Sequence, residues 1–223
     1  MTDVAREEAS TEMTASSVYA VWLRVFAVLY DPFLWLGEIA GMRRRRRRLL
    51  AKAYGRVVEI GSGTGLNVPL YTNAVDELVL TEPEPGMRRK LERRLQRNGL
   101  GAHIFDAPAQ RLPVADASVD TVVSTLVLCT VDDPDSALRE IARVLRPGGQ
   151  LLFIEHVRAS SRFVAACQDK LLVAWRGFAG GCECNRSTVD LMRACGFTVD
   201  AVADVWRGMP AIVHPLAVGR ATL

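Results

Sequence analysis

A run of β-branched residues feeds straight into regularly spaced glycines in Val57-Val58-Glu59-Ile60-Gly61-Ser62-Gly63-Thr64-Gly65. Valine and isoleucine favour a pleated, buried strand. Glycine at every second position lets the chain turn tightly and lets a ligand approach the backbone. The loop is not a dinucleotide fingerprint, because the position three after Gly63 is Leu66 rather than glycine. It also lacks the Lys-Ser/Thr pair that closes a P-loop. Glu82 ends the next apolar stretch, Leu80-Thr81-Glu82-Pro83, 21 residues beyond Gly61. A strand-end carboxylate at that spacing meets ribose hydroxyls and can accept from both at once.

From Arg56 onward, short apolar runs alternate with helical patterns. The expected strands are 56–60, 78–81, 102–105, 119–126 and 150–156. Met87, Leu91 and Leu95 mark one helix, and Leu138, Ile141 and Leu145 mark another, opened by Pro134 and stopped by Pro147-Gly148-Gly149. Strands alternating with helices predict a parallel sheet covered on both faces. The section 187–223 reads as one helix capped by Gly196 and then two strands, 198–205 and 211–218.

Ahead of this domain, 54–223, the expected units are a disordered polar tail, 1–17, and a helical lid, 18–53. Val18–Leu36 is the most apolar stretch, but Arg24 and Asp31-Pro32 interrupt it, so it falls short of the about 20 apolar residues that span a bilayer. A short helix apolar on nearly every face is either buried or interfacial; burial as a lid is favoured, with peripheral membrane contact as the other reading. The run Arg43–Arg48 covers every face of a helix, so some of its guanidinium groups must be solvated. It reads as a charged stretch after the lid, or, with Trp22, Phe26, Phe33 and Trp35, as a patch for anionic lipid.

Composition narrows the class of protein. Hydrophobic residues make up 49% and charged residues 24%, which excludes a disordered chain or a disulfide miniprotein. A net charge of +3, with no aromatic residue inside the arginine run, gives no support for a nucleic-acid partner. Five cysteines, an odd number, and the lack of a secretion signal predict reduced thiols in the cytoplasm.

The loop Glu59–Gly65, Glu82 and the stretch Ile141–Ile154 resemble class I S-adenosylmethionine-dependent methyltransferases over about Tyr30 to Gly196. The resemblance implies a Rossmann-like fold, with a doubly wound, mostly parallel sheet, a C-terminal antiparallel strand pair and a helical lid, and S-adenosyl-L-methionine as cofactor. It implies that Gly61, Ser62, Gly63 and Gly65 face the methionine part, that Glu59 holds its amino group, and that Glu82 and Pro83 border the ribose. It places Met87 near the adenine, and Tyr30, Thr125 and Leu126 in the cofactor site. Where the family often has Asp-Ala, this chain has Pro108-Ala109-Gln110. The backbone of Ala109 and Gln110 is therefore expected to meet the adenine, and Asp106 could substitute only if the loop shifts.

Three further stretches, Thr125–Val131, Glu155-His156-Val157 and Gly181-Cys182 with Arg186, are similar to the thiol S-methyltransferases of the methyltransferase-like family. Tyr30-Asp31 is also similar to quinone C-methyltransferases and phospholipid N-methyltransferases. The resemblance implies a small lipophilic acceptor, thiol sulfur first. The alternatives are a quinone or phospholipid acceptor, and a non-catalytic cofactor-binding or membrane-adaptor protein.

A thiol needs only modest activation, whereas a phenol or carbon acid needs a positioned base. His156, at the carboxyl end of the fifth strand, is the candidate base, with a hydrogen-bonded wall residue as the plain alternative. No metal is expected: Cys182-Glu183-Cys184 has one residue between its thiols and no second pair beside it. Cys129 is expected at the edge of the acceptor pocket or in the core.

Overall fold

The structure, a computed structural model, describes residues 21–223. The expected tail, 1–17, and the first residues of the lid lie outside the described residues.

Seven strands form one sheet: β1 (Gly55–Ile60), β2 (Val75–Thr81), β3 (His103–Phe105), β4 (Val119–Thr125), β5 (Leu145–His156), β6 (Thr198–Val205) and β7 (Pro215–Thr222). Their order is β3-β2-β1-β4-β5-β7-β6, parallel except where β7 pairs antiparallel with β5 and β6. This is the parallel sheet that the alternating pattern predicts, with the doubly wound topology and the antiparallel C-terminal strand pair that the resemblance implies. The order reverses at β1 and β4, and the carboxyl ends of these strands make the crevice where such sheets hold ligands.

Successive residues of the central strands bury on opposite faces. Val58, Val122, Leu151 and Phe153 enter one core with Leu138 and Ile141. Val57, Val123, Leu152 and Ile154 enter the other with Leu91 and Leu95. Two covered faces explain why these strands read as continuous apolar runs rather than alternating ones.

Helix α2 (Pro85–Asn98) starts on Glu84, whose side chain accepts from the Met87 amide, and stops at left-handed Gly99. Helix α3 (Pro134–Val144) starts on Asp133, which accepts from Ser136 N. Helices α4 (Arg162–Phe178) and α5 (Thr188–Ala194) complete the layers.

Several features differ from expectation. Pro147-Gly148-Gly149 lie inside the entry to β5, because α3 already ends at Val144 and the strand bulges between Leu145 and Gln150. The last strand begins at Pro215, since Ala211–Val213 forms a turn of 3₁₀ helix. Helix α4 has no counterpart in the expected elements: its apolar residues are spread around the helix, so no stripe marks it.

Helix α1 (Val21–Leu50) carries a π-type turn at Glu38–Met42 and breaks at Gly41, where φ is 124°. Among the described residues it is the one helix long and apolar enough to cross a membrane by length and composition. Its inner residues Leu34, Met42, Leu49 and Leu50 join the core, while Val21, Val25, Val28, Trp35 and Ile39 are exposed. The arginine run divides by helical period. Arg45 forms a two-pronged pair with Asp204, and Arg46 is buried against Glu38 and Asn67. Arg43, Arg44, Arg47 and Arg48 are exposed.

Candidate functional site

The β1 loop turns through glycines with φ of 52° at Gly61 and 57° at Gly63, a region that side chains other than glycine rarely adopt. A Cβ on Gly61 would meet the Val127 methyls at 2.8 and 2.9 Å. Gly63 N donates to Glu82 Oε2 at 2.7 Å, and Glu84 N donates to Oε1 at 2.8 Å. Each carboxylate oxygen is thus held by one amide and keeps lone pairs for a ligand. Burial raises the Glu82 pKa above its ordinary value, and these two amides oppose the rise.

A second, smaller recess opens beside the loop. It is lined by Glu59, Ser62, Asn67 and Thr125, with Tyr30 and Arg46 contributed by α1. Asn67 Nδ2 donates to Glu59 Oε1 at 3.2 Å and to Thr125 Oγ1 at 2.7 Å, and Asn67 Oδ1 accepts from Arg46 Nη1 at 3.1 Å. Tyr71 donates to the other Glu59 oxygen. Burial pushes the Glu59 carboxyl up to about 7, against the opposing effects of Tyr71, Arg46 and Asn67. Burial likewise pushes the Tyr30 hydroxyl up.

The main cavity, about 510 Å³, lies over the carboxyl ends of the strands and under α1. Its cofactor-side wall brings together Gly61, Gly63, Glu82, Pro83, Met87 and Leu126, with Ala109 and Gln110 beside Pro108. Tyr30, Gly61 and Gly63 border both spaces. Gly65 borders neither; a Cβ there would meet Leu91 at 2.7 Å, so its role is to let the loop pack on α2. Asp106 is taken up by an ion pair with Arg88 at 3.0 Å and is outside the cavity wall.

The opposite wall is built from Phe26, Phe33, Trp175, Trp206, Met209 and Val213, with His156 and Cys182 set among them. Trp206 fixes this side. Its Nε1 donates to Gly37 O of α1 at 3.0 Å, and its ring stacks on His156 with centroids 5.7 Å apart. His156 turns Nδ1 to Cys129 Sγ at 3.6 Å and Cys182 Sγ at 3.5 Å. Its Nε2 is buried with no partner among the described residues. Cys129 is fully buried behind the wall. Its pKa is raised well above the ordinary value by the neighbouring Cys182 thiol and by burial. Cys184 is buried nearby, and Cys195 lies apart from the cavity, near Asp135.

Several residues to which the sequence reading gave no site role organise the site. Glu155, fully buried, accepts from Ser124 Oγ and from the amides of Val127 and Cys129. It thereby shapes the loop after β4, where Leu126 takes the left-handed φ of 62°. Arg186 grips the Leu128 and Val131 carbonyls of the same loop at 2.6 and 2.8 Å. Arg46, Asn67, Tyr71 and Trp206 complete the set. Glu155 and Arg186 stand only within the stretches that carry the resemblance, Arg46 stands within the arginine run, and Asn67, Tyr71 and Trp206 have no signal beyond that of many ordinary positions.

The loop, the paired amides on Glu82 and the polar recess around Glu59 can together hold a diol and an amino acid end to end. The uncharged wall opposite can hold an apolar second ligand in a water-poor space.

A family described as "Methyltransferase domain" matches residues 58–153. Human thiol S-methyltransferase TMT1A is 34% identical over 146 residues, 64% of this chain and 59% of that protein. Phosphatidylethanolamine N-methyltransferase of Cereibacter sphaeroides is 30% identical over 138 residues, 60% of this chain and 68% of that protein. A Thermotoga maritima structure titled "SAM-dependent methyltransferase, possible histamine N-methyltransferase" superposes with a TM-score of 0.68 at 25% identity, over 90% of this chain and 98% of that one. The matches to the thiol S-methyltransferases span between 55% and 65% of those proteins' own length.

Proposed function

Since the chain belongs to the S-adenosylmethionine-dependent methyltransferases, we propose that it transfers the methyl group of S-adenosylmethionine to a small lipophilic acceptor, with thiol sulfur favoured. The observation that carries this reading is Glu82. Its two carboxylate oxygens are aimed by Gly63 N and Glu84 N beside a glycine turn that a Cβ would obstruct. The residues present fit the cofactor along its length. Glu82 takes the ribose hydroxyls, and the Ala109–Gln110 backbone and Met87 take the adenine. Glu59 and Asn67 take the ammonium, and Arg46 takes the carboxylate.

The cofactor supplies an already activated methyl group. What remains for the protein is to align the acceptor, about 3 Å from that carbon, and to keep water out. The apolar wall under α1 does the second, and stacking between His156 and Trp206 makes that wall rigid. A thiol is a few per cent ionised near neutral pH, so a strong base is not required. Human thiol S-methyltransferases among the relatives support sulfur as the acceptor atom.

Calorimetric titration with S-adenosylmethionine and S-adenosylhomocysteine, with NADH as control, tests the cofactor. Binding of the first two and not the third is expected; silence from both would leave the adaptor reading. A screen of small thiols against extracted quinones and phospholipids then tests the acceptor, and turnover of the lipids alone would overturn the preference for sulfur.

The location consistent with this reading is the cytoplasm, with peripheral membrane contact. Helices α1 and α4 both expose large apolar side chains, among them Trp35 and Ile39 of α1 and Phe163 and Val173 of α4, the last two 78% and 86% exposed. The two helices touch through Trp22 and Phe33 on Phe178, and they border the cavity through which a lipophilic acceptor would enter.

A further inference from the structure

Three side chains from distant parts of the chain converge behind the acceptor wall. Cys129 comes from the loop after β4, His156 from the end of β5 and Cys182 from the segment after α4. All three are buried. Their ligand atoms form a triangle, with Sγ to Sγ 4.0 Å and Nδ1 to the two sulfurs 3.6 and 3.5 Å.

One imidazole nitrogen can accept a hydrogen bond from one thiol, not two. As free thiols, Cys182 can donate to Cys129 Sγ and Cys129 to Nδ1, through long sulfur contacts of 4.0 and 3.6 Å. The same triangle also has the dimensions of a cation site. Zinc holds sulfur at about 2.3 Å and nitrogen at about 2.0–2.1 Å in a tetrahedron, which places the sulfurs about 3.8 Å apart and each about 3.5 Å from the nitrogen. The triangle matches one face of that tetrahedron.

Charge agrees with geometry. Two thiolates and a neutral imidazole cancel a divalent cation, so before the acceptor binds the site would bury no net charge. The backbone that carries the ligands is held from outside. Glu155 holds the Cys129 amide at 3.1 Å, and Thr188 Oγ1 donates to the His156 carbonyl at 3.4 Å. Gly181, at φ 97°, seats against the Thr130 carbonyl just before Cys182. No fourth His, Cys, Asp or Glu atom joins the three among the described residues. Because His156 and Cys182 line the cavity, the open position faces the acceptor.

We propose that Cys129, His156 Nδ1 and Cys182 form a zinc site whose fourth position receives the acceptor sulfur as a thiolate. The site stands on the triangle alone, whereas its role rests on the methyl-transfer reading above. In that role the bound acceptor has already given its proton to solvent. Its lone pair forms the new sulfur–carbon bond as the methyl–sulfonium bond breaks, and that bond's electron pair stays on the departing thioether sulfur.

The full-length protein, reduced and stripped with a chelator, is titrated with Zn²⁺ and separately with Co²⁺. One equivalent of zinc with release of two protons is expected, and Co²⁺ should show thiolate-to-metal charge-transfer absorption. Cys129→Ser and Cys182→Ser should lose both signals, and Cys167→Ser should keep them. Failure of the reduced wild-type protein to take up zinc, or unchanged binding in both variants, overturns the site. If either variant does not fold, X-ray absorption at the zinc edge of the wild-type protein decides, because any shell other than two sulfurs and one nitrogen from the protein overturns it. Titration with S-adenosylmethionine separates the two readings: zinc uptake without cofactor binding leaves the metal site standing and removes its role.

Discussion

Glu59 is a carboxylate that the fold keeps dry. With its pKa raised to about 7 in the folded chain against 4.5 for the free residue, the folded state holds the proton more tightly than the unfolded one. Its contribution to stability is complete below about pH 4.5 and is lost as pH rises through about 7. Glu59→Gln should therefore raise the melting temperature of the ligand-free protein at about pH 8 while having little effect at about pH 5, measured by calorimetry. The same substitution should weaken S-adenosylmethionine, whose ammonium prefers the ionised carboxylate. Gly61→Arg should abolish cofactor binding in titration, since even its Cβ meets Val127. Left-handed strain there costs about 1–3 kcal/mol, less than the stability of an ordinary domain, so the circular dichroism spectrum should persist. Glu82→Ala should weaken the cofactor by about 1–3 kcal/mol, read as the change in Kd.

Helices α1 and α4 reached the site by different routes. The apolar period of α1 is visible in its residues, and Gly37 lets it approach Trp206, because a Cβ there would lie 2.6 Å from the indole. Helix α4 is tied down mainly by one polar side chain. Buried Gln168 donates to the carbonyls of Val157, Cys184 and Ile212 and accepts from Ala159 N. Gln168→Leu preserves much of the volume but orphans those groups. It should cost about 2–3 kcal/mol in denaturant unfolding, and a cost below 1 kcal/mol would show that water replaces the lost bonds.

At the scale of the whole molecule, α1 and α4 both border the cavity and both expose large apolar side chains, with Arg47 and Arg48 exposed along α1. Co-sedimentation with anionic vesicles is the expected outcome. Phe163→Asp with Val173→Asp should reduce it while leaving cofactor affinity unchanged; equal sedimentation of the double variant would remove α4 from the contact. Much of this architecture was legible in the residues themselves. Buried parallel strands announce themselves as β-branched runs, and the Gly61 loop and Glu82 are separated by a fixed spacing because one α/β unit sets both. Tyr30, Met87, Ala109 and Gln110 were named as site residues only through the family resemblance, and the fold sets them on the wall of the main cavity. What the residues alone could not say was which distant side chains would meet. Arg46 belongs to a run of six identical residues, and only the helical phase set by Met42 and Leu49 turned it inward. Cys129, His156 and Cys182 share no short spacing, so Cys182 read as the partner of Cys184, next but one in the chain. Strand order and the docking of the loops decided otherwise, because contacts between remote segments depend on how the sheet is wound, and no local propensity encodes that.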